Sequence, residues 1–304
     1  MDRVKDAKNM LDPGTLSLLS NYEIIAKLIV DSFSVGLHKG PRHAYSLEYS
    51  GHRAYTPGDS LRQIDWKLLG RTDHLYVKQF EEETSVQSWL MLDASRSMSY
   101  RGKADKLSKW QYASYLAAAL SHLMIEQHDA VGLMLFGEKL KQILPPRFSK
   151  PHYYEILKAL HNHTPAQDKT CFESSARQAA AHMRSRGLIF LVSDFLGPAA
   201  EIERAFKILS GGRHELMVLH VLSPDEIRFP FNRLSYFEDM ETHERVLMDP
   251  AIFKNEYRAG VQAYLEQIRR CSARLKVTYL CVRTDEPMDV SLHAFLKLRE
   301  RSLR

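Results

Sequence analysis

The amino-acid sequence predicts an α/β protein built on a doubly wound, mainly parallel sheet. The first observation is a set of short runs of consecutive apolar residues, as expected of strands that are covered on both faces. The second is that segments with helical spacing lie between most of these runs, an alternation that favours a parallel sheet. The five runs are residues 89–92, 131–136, 188–192, 216–221 and 277–282.

Helices are predicted where apolar residues recur every three or four positions. The clearest pattern begins at Leu107 and ends at Met124, so that its apolar residues form one stripe along a helix. The other helical segments cover about residues 172–185, 199–210 and 253–274.

One strand is expected to run against the others. Residues 139–144 follow the run that ends at Phe136 after only a Gly137-Glu138 turn. Such a turn is too short for the crossover that a parallel neighbour needs. The segment is therefore predicted to pair antiparallel, as an edge strand.

The N-terminal part of the chain has a different pattern. Apolar residues from Leu16 to Leu28 have helical spacing, and alternating segments follow around residues 44–56 and 74–82. Alternation of this kind is typical of strands with one exposed face. We therefore predict a helical and β-rich appendage over residues 1–84, followed by the sheet domain over residues 85–304.

Composition excludes several classes of protein. The 304 residues include 42 Lys+Arg and 37 Asp+Glu, and the net charge of +5 is too weak to indicate a nucleic-acid partner. Cys171, Cys271 and Cys281 are widely spaced and form no CxxC pair, so neither a zinc site nor a disulfide framework is indicated.

No targeting or membrane segment is apparent in the sequence. The first residues carry charges where a signal peptide would have its apolar core. No run approaches the roughly 18 apolar residues of a membrane span. We therefore expect a cytoplasmic protein without a membrane span.

Side chains with oxygen ligands follow two of the predicted strands. Asp93, Ser95 and Ser97 come directly after the first buried run, and Asp194 follows a later one. In an open parallel sheet, ligands bind beyond the carboxyl ends of the strands. Mg²⁺ and Mn²⁺ prefer hard oxygen ligands in an octahedron. The sequence therefore predicts a divalent-metal site at this edge, with Thr170 supplying a hydroxyl from a third loop.

These loops resemble the metal-ion-dependent adhesion site (MIDAS) of von Willebrand factor A (VWA) domains. The upstream sequence is similar to the signature of the DUF58 family (domain of unknown function 58), whose members carry such a segment ahead of a VWA-like domain. The stretches that carry this second resemblance are Arg53-Ala-Tyr55-Thr-Pro57-Gly58-Asp59, Ile64-Asp65-Trp66-Lys67, Gly70-Arg71-Thr72 and Leu75-Tyr-Val77-Lys-Gln-Phe80-Glu-Glu-Glu83.

The resemblance implies a binding module with no catalytic activity. Ser95, Ser97 and Thr170 would hold Mg²⁺ or Mn²⁺ directly, with Thr164 as the alternative threonine, and Asp93 and Asp194 would act mainly through water. An acidic side chain of a partner protein would complete the coordination. The implied partner is a MoxR-type AAA+ ATPase that acts in protein maturation or remodelling. Many family members begin with two membrane-spanning helices, which this sequence does not show.

An enzyme of phosphoryl transfer is the alternative interpretation of the same sheet. A dehalogenase-like phosphatase needs an acid two residues after its nucleophilic aspartate, and here Ser95 follows Asp93. A response-regulator receiver needs an acid pair at the first strand, but the acidic run 81–83 precedes that strand. The sequence also lacks a P-loop, a G-x-G-x-x-G loop and a G-x-S-x-G elbow.

Two further features are expected to be structural. His161 and His163 follow an amphipathic segment, and we expect them to face solvent rather than bind metal. Trp66 is expected to be buried between the appendage and the sheet domain, rather than to serve as a stacking platform for nucleic acid.

Overall fold

The computed structural model describes most of the chain, in two compact units. The described residues are 21–31, 49–56, 66–72, 75–80, 87–103, 105–165, 170–183, 185–211, 214–240 and 244–302. The smaller unit spans Lys39–Ser85, and the larger holds the rest of the described residues, including helix α1 (residues 21–31). The smaller unit ends next to the boundary expected at residue 84, and the division into 1–84 and 85–304 stays a prediction.

The smaller unit contains an antiparallel strand pair. Strand β1 (Tyr49–Ala54) pairs with β2 (Tyr76–Phe80), and helix α2 (Trp66–Thr72) lies between them in the chain. The strands expected around residues 44–56 and 74–82 are therefore present over 49–54 and 76–80, while residues 44–48, 74, 81 and 82 lie outside the described residues. The expectation that Trp66 is buried is wrong, because 62% of its surface is exposed.

A six-stranded sheet forms the centre of the larger unit, in the order β10-β7-β6-β3-β4-β5. All neighbours are parallel except β4 and β5. The predicted α/β fold with a mainly parallel sheet and one antiparallel edge strand is confirmed. The strands are β3 (Gln87–Asp93), β4 (Ala130–Phe136), β5 (Leu140–Arg147), β6 (Gly187–Ser193), β7 (Glu215–Leu222) and β10 (Thr278–Arg283), with β8 (Ser235–Glu238) and β9 (Arg245–Met248) as a separate antiparallel pair.

Helices cover the sheet, and four of them lie where the apolar spacing predicts. Three more helices, over Lys150–Asn162, Pro224–Arg228 and Met288–Ser302, were not expected. In the first two of these, a proline in the first turn follows a serine N-cap. The helices are α3 (Lys109–Glu126), α4 (Lys150–Asn162), α5 (Phe172–His182), α6 (Ala199–Gly211), α7 (Pro224–Arg228), α8 (Pro250–Arg274) and α9 (Met288–Ser302), and a short 3-10 helix spans Arg96–Ser99.

The core has two layers because successive side chains of a strand point to opposite faces. Leu90 and Leu92 of β3 pack with residues of α1, α3, α4 and α9 on one face. Trp89 and Met91 of the same strand pack with residues of α5, α6 and α8 on the other. Burial on both faces explains why these strands are continuously apolar.

The topology brings two loops together at one edge of the sheet. Strands β3 and β6 are parallel neighbours, although the chain visits β4 and β5 between them. Connections leave to opposite sides at this point, which opens a crevice beyond the strand ends. Asp93 is the last residue of β3 and Ser193 the last of β6, so the loops that follow them meet at this crevice.

Candidate metal centre

The side chains predicted to bind metal lie together at the carboxyl ends of β3 and β6. Asp93, Ser95, Ser97 and Asp194 are all buried, and Thr170 is half-buried at the start of α5. The short 3-10 helix that follows Ser95 turns the chain and brings Ser97 close to Ser95. The hydroxyls of these two serines are 3.0 Å apart.

Asp93 is the centre of the hydrogen-bond network. Its Oδ1 accepts from the backbone N–H of Ser95 at 2.9 Å, and the Thr170 hydroxyl lies 3.2 and 3.3 Å from its two carboxylate oxygens. Its Oδ2 accepts from the hydroxyl of Ser193 at 2.6 Å. Ser193 was not predicted as part of the site, although it directly precedes Asp194 in the sequence. None of these partners carries a positive charge.

The donor set consists of hydroxyls and two carboxylates. Among the described residues, no three His, Cys, Asp or Glu side chains are arranged to hold a metal ion. Any cation here would therefore depend on Ser95, Ser97 and Thr170 for much of its coordination. Such hard, neutral oxygens together with carboxylates are ligands that suit Mg²⁺ or Mn²⁺ and do not suit a soft metal.

The two carboxylates are buried and repel each other. Burial, with the nearby charge of Asp194, raises the pKa of Asp93 to about 6. A divalent cation between the loops would offset this repulsion.

A buried lysine pairs with one of the two aspartates of the site. Lys109, the first residue of α3, places its Nζ 2.7 Å from Oδ2 of Asp194 and 2.6 Å from Oε1 of Glu226. Burial alone would lower the pKa of Lys109, but the charges of these two carboxylates and their hydrogen bonds to Nζ together outweigh it and raise that pKa. Burial would likewise raise the pKa of Asp194, but the Lys109 charge and the hydrogen bonds that the carboxylate accepts together outweigh it, and the pKa is lowered. The ammonium is therefore charged.

Sequence reasoning did not find Lys109 or Glu226. One signal was available for the lysine, because a positive charge in the first turn of a helix opposes the helix dipole. For the glutamate the signal was weaker: Glu226 is the N3 residue of a capping box whose N-cap is Ser223, and this local role is enough to account for a glutamate at that position.

A cavity of about 470 Å³ opens beside the same loops. His161 and His163 line it and are half-buried, contrary to the expectation that they face solvent. The ring of His163 packs against Trp110, with centroids 5.1 Å apart. Thr164, the alternative to Thr170, also lines this cavity, whereas the Thr170 hydroxyl reaches Asp93.

Comparison with known sequences identifies a family. The family described as "Protein of unknown function DUF58" matches residues 51–270. An uncharacterized protein of Mycobacterium bovis is 25% identical over 294 residues, which cover 95% of this chain and 91% of the relative. An uncharacterized protein of Mycobacterium tuberculosis matches to the same extent.

Solved structures resemble the larger part of the chain. The conserved hypothetical protein BatB from Bacteroides thetaiotaomicron has a TM-score of 0.50 at 18% identity, covering 72% of this chain and 98% of that one. The SpRpn10 VWA domain has a TM-score of 0.44 at 10% identity, covering 69% of this chain and 94% of that one. Among the described helices, none has both the length and the apolar character needed to cross a membrane.

Proposed function

The chain belongs to the DUF58 family, and from that premise we propose that it is a metal-dependent protein-interaction module without catalytic activity. The observation that carries the proposal is the convergence of three loops on Asp93. The Ser95 N–H and the hydroxyls of Thr170 and Ser193 all donate to its carboxylate, while Ser97 approaches Ser95 from the same loop.

In this proposal Ser95, Ser97 and Thr170 hold Mg²⁺ or Mn²⁺ through their hydroxyls. Asp93 and Asp194 contribute mainly through water, because hydrogen-bond donors already engage their oxygens. Neutral hydroxyls leave positive charge on the cation, which then attracts an acidic side chain from outside. The bound partner is therefore a protein that presents an Asp or Glu.

Titration calorimetry with Mg²⁺ and Mn²⁺ tests the metal. We expect the wild type to bind, Asp93→Ala to lose binding, and Ser97→Ala to lose roughly tenfold or more in affinity. Ser99→Ala is the matched control, because the Ser99 hydroxyl donates to the backbone carbonyl of Arg96 instead. Equal heats of metal binding for the wild type and Asp93→Ala, or no heat for the wild type, would contradict the proposed metal site.

The proposed partner is a MoxR-type AAA+ ATPase, and this rests on the family resemblance. A pull-down with a MoxR-type ATPase from the same organism, with and without chelator, tests it. Binding that depends on Mg²⁺ and is lost in Ser95→Ala supports the proposal. Binding indifferent to both would mean that the metal site is not the contact.

The absence of catalysis and the cytoplasmic location belong to the same proposal. A dehalogenase-like phosphatase would need an acid where Ser95 stands, and the Ser95 hydroxyl instead lies 3.0 Å from that of Ser97. Turnover of an aryl phosphate that Asp93→Asn abolishes would overturn the non-enzymatic assignment. Recovery of the native protein in the membrane fraction after a salt wash would overturn the location.

A further inference from the structure

Lys109 is unusual because its side chain is fully buried between two carboxylates. Lysine is almost never fully buried unless it is paired. Here Nζ contacts two carboxylates, Asp194 and Glu226, and lies 5.7 Å from the ring centroid of Tyr100. The two acids belong to different segments, because Asp194 lies in the loop after β6 and Glu226 lies in helix α7. The ammonium therefore links these two segments at the site.

Both carboxylate oxygens of Asp194 have hydrogen-bond partners, and the contact with Lys109 is the shorter. Its Oδ2 accepts from Lys109 at 2.7 Å, and its Oδ1 accepts a longer bond from the backbone N–H of Leu196 at 3.4 Å. The hydroxyl of Ser97 also donates to this carboxylate. An oxygen that already accepts from an ammonium is a poor inner ligand for a metal, because the two cations would repel each other at close range.

Asp93 offers a contrast within the same site. Its carboxylate accepts only from neutral groups among the contacts described above, namely Ser95, Thr170 and Ser193. The two aspartates are therefore unlike: one is left with uncompensated charge, and the other is held by a resident cation.

We propose that Lys109 is a built-in cation that holds the Asp194 carboxylate out of the metal's inner coordination sphere, and so keeps the site selective for an acidic ligand. This inference rests on the proposed metal site and deepens it. Lys109 is a positioning residue in this account, because it acts on the metal through Asp194.

Under this proposal, the Lys109 ammonium lowers the affinity of the site for the metal and raises the selectivity of the bound metal for an acidic ligand. With the ammonium in place, the bound metal keeps a water where Asp194 would otherwise bind. That position remains open to a carboxylate from a partner. Without the ammonium, Asp194 can bind directly, so the metal is held more tightly and carries less net positive charge.

The test is Mn²⁺ binding to the wild type and to Lys109→Met, which removes the charge and retains much of the volume. We expect the variant to bind Mn²⁺ at least about tenfold more tightly. Relaxation of water protons should show fewer waters on the bound Mn²⁺, because the Asp194 carboxylate replaces one. Glutarate, as a soluble acidic probe, should bind the Mn²⁺-loaded variant more weakly than the loaded wild type.

Lys141→Met is the matched control. Lys141 also lies near the site, where its Nζ donates to the backbone carbonyl of Ala94 at 3.2 Å. Its removal takes away a positive charge without releasing Asp194. An increase in Mn²⁺ affinity equal to that of Lys109→Met would show a general charge effect and would overturn the proposal.

Glu226→Gln keeps the proposal testable if Lys109→Met fails to fold. In that variant Asp194 is the one carboxylate among the described residues that still pairs with the ammonium, so we expect Mn²⁺ affinity to fall about threefold or more. Unchanged or higher affinity would count against the role of Lys109.

If the wild type binds and Lys109→Met is unchanged, the Lys109 inference alone fails. If neither binds, the proposed metal site fails as well.

Discussion

His220 is a titratable side chain buried in strand β7, beside the candidate metal centre. Its Nδ1 lies 2.8 Å from the Tyr279 hydroxyl and its ring packs against Phe195. Burial lowers its pKa to about 4, with the nearby charge of Asp194 opposing the shift and that of Lys109 adding to it. The folded protein therefore keeps this imidazole neutral at pH values where the unfolded chain, with a pKa of about 6.5, takes up a proton.

The sign of the resulting pH dependence follows from this difference. As the pH falls from about 6.5 to about 4, the unfolded state binds more protons than the folded state, so stability falls by up to about 3 kcal/mol from this group. Replacement by glutamine retains a polar partner for Tyr279 and removes the titration. Denaturant unfolding at several pH values should show a shallower decline for His220→Gln than for the wild type; parallel declines would contradict the prediction.

At the scale of secondary-structure elements, close approach of two strands requires a glycine. Gly187 begins β6 opposite Gln87 of β3, and a Cβ at this position would lie 2.2 Å from the Gln87 carbonyl oxygen. Because that atom belongs to the backbone, the strands would have to separate. We expect Gly187→Ala to lower the free energy of unfolding by about 1–3 kcal/mol, measured by denaturant titration.

Gly260→Ala provides the opposite case. Gly260 lies within helix α8, and a Cβ there would meet nothing within 4 Å. Alanine loses less backbone entropy on folding, so this variant should be more stable than the wild type by about 1 kcal/mol. Changes of the same sign in the two variants would show that local crowding does not decide the outcome at Gly187.

At the scale of the whole molecule, helix α1 belongs to the core of the larger unit. Ala26 is fully buried in the cluster that also contains residues of α3 and α4, and the Tyr22 hydroxyl lies 3.2 Å from that of Ser114. We expect Ala26→Asp to destabilise the protein by about 3 kcal/mol or more, because it buries an unpaired charge. The shift of the thermal unfolding midpoint measures this.

Ile24→Asp is the control on the same helix, since Ile24 is 54% exposed. A surface change of this kind should alter stability by less than about 1 kcal/mol. If both variants unfold at the temperature of the wild type, helix α1 does not contribute to the folding of the sheet unit.

Local pattern made much of the fold predictable. The strands of the sheet are covered on both faces, so each is a continuous apolar run, and the edge strand β5 follows from the short turn at Gly137. The pattern failed where burial depends on distant parts of the chain. Trp66 is mostly exposed although tryptophan is large and apolar, and no sequence window around it contains that information.

The sequence by itself determined where the loops of the candidate site begin, because Asp93, Ser95 and Ser97 lie at and just after the end of one buried strand and Asp194 directly follows another. Only the tertiary structure decided which charged side chains pair with each other at these loops. Lys109 meets Asp194 across 85 positions and Glu226 across 117. In the sequence this lysine is an ordinary charge at a helix start; its pairing depends on the parallel sheet, which brings the carboxyl ends of β6 and β7 to one edge and buries the Lys109 side chain there.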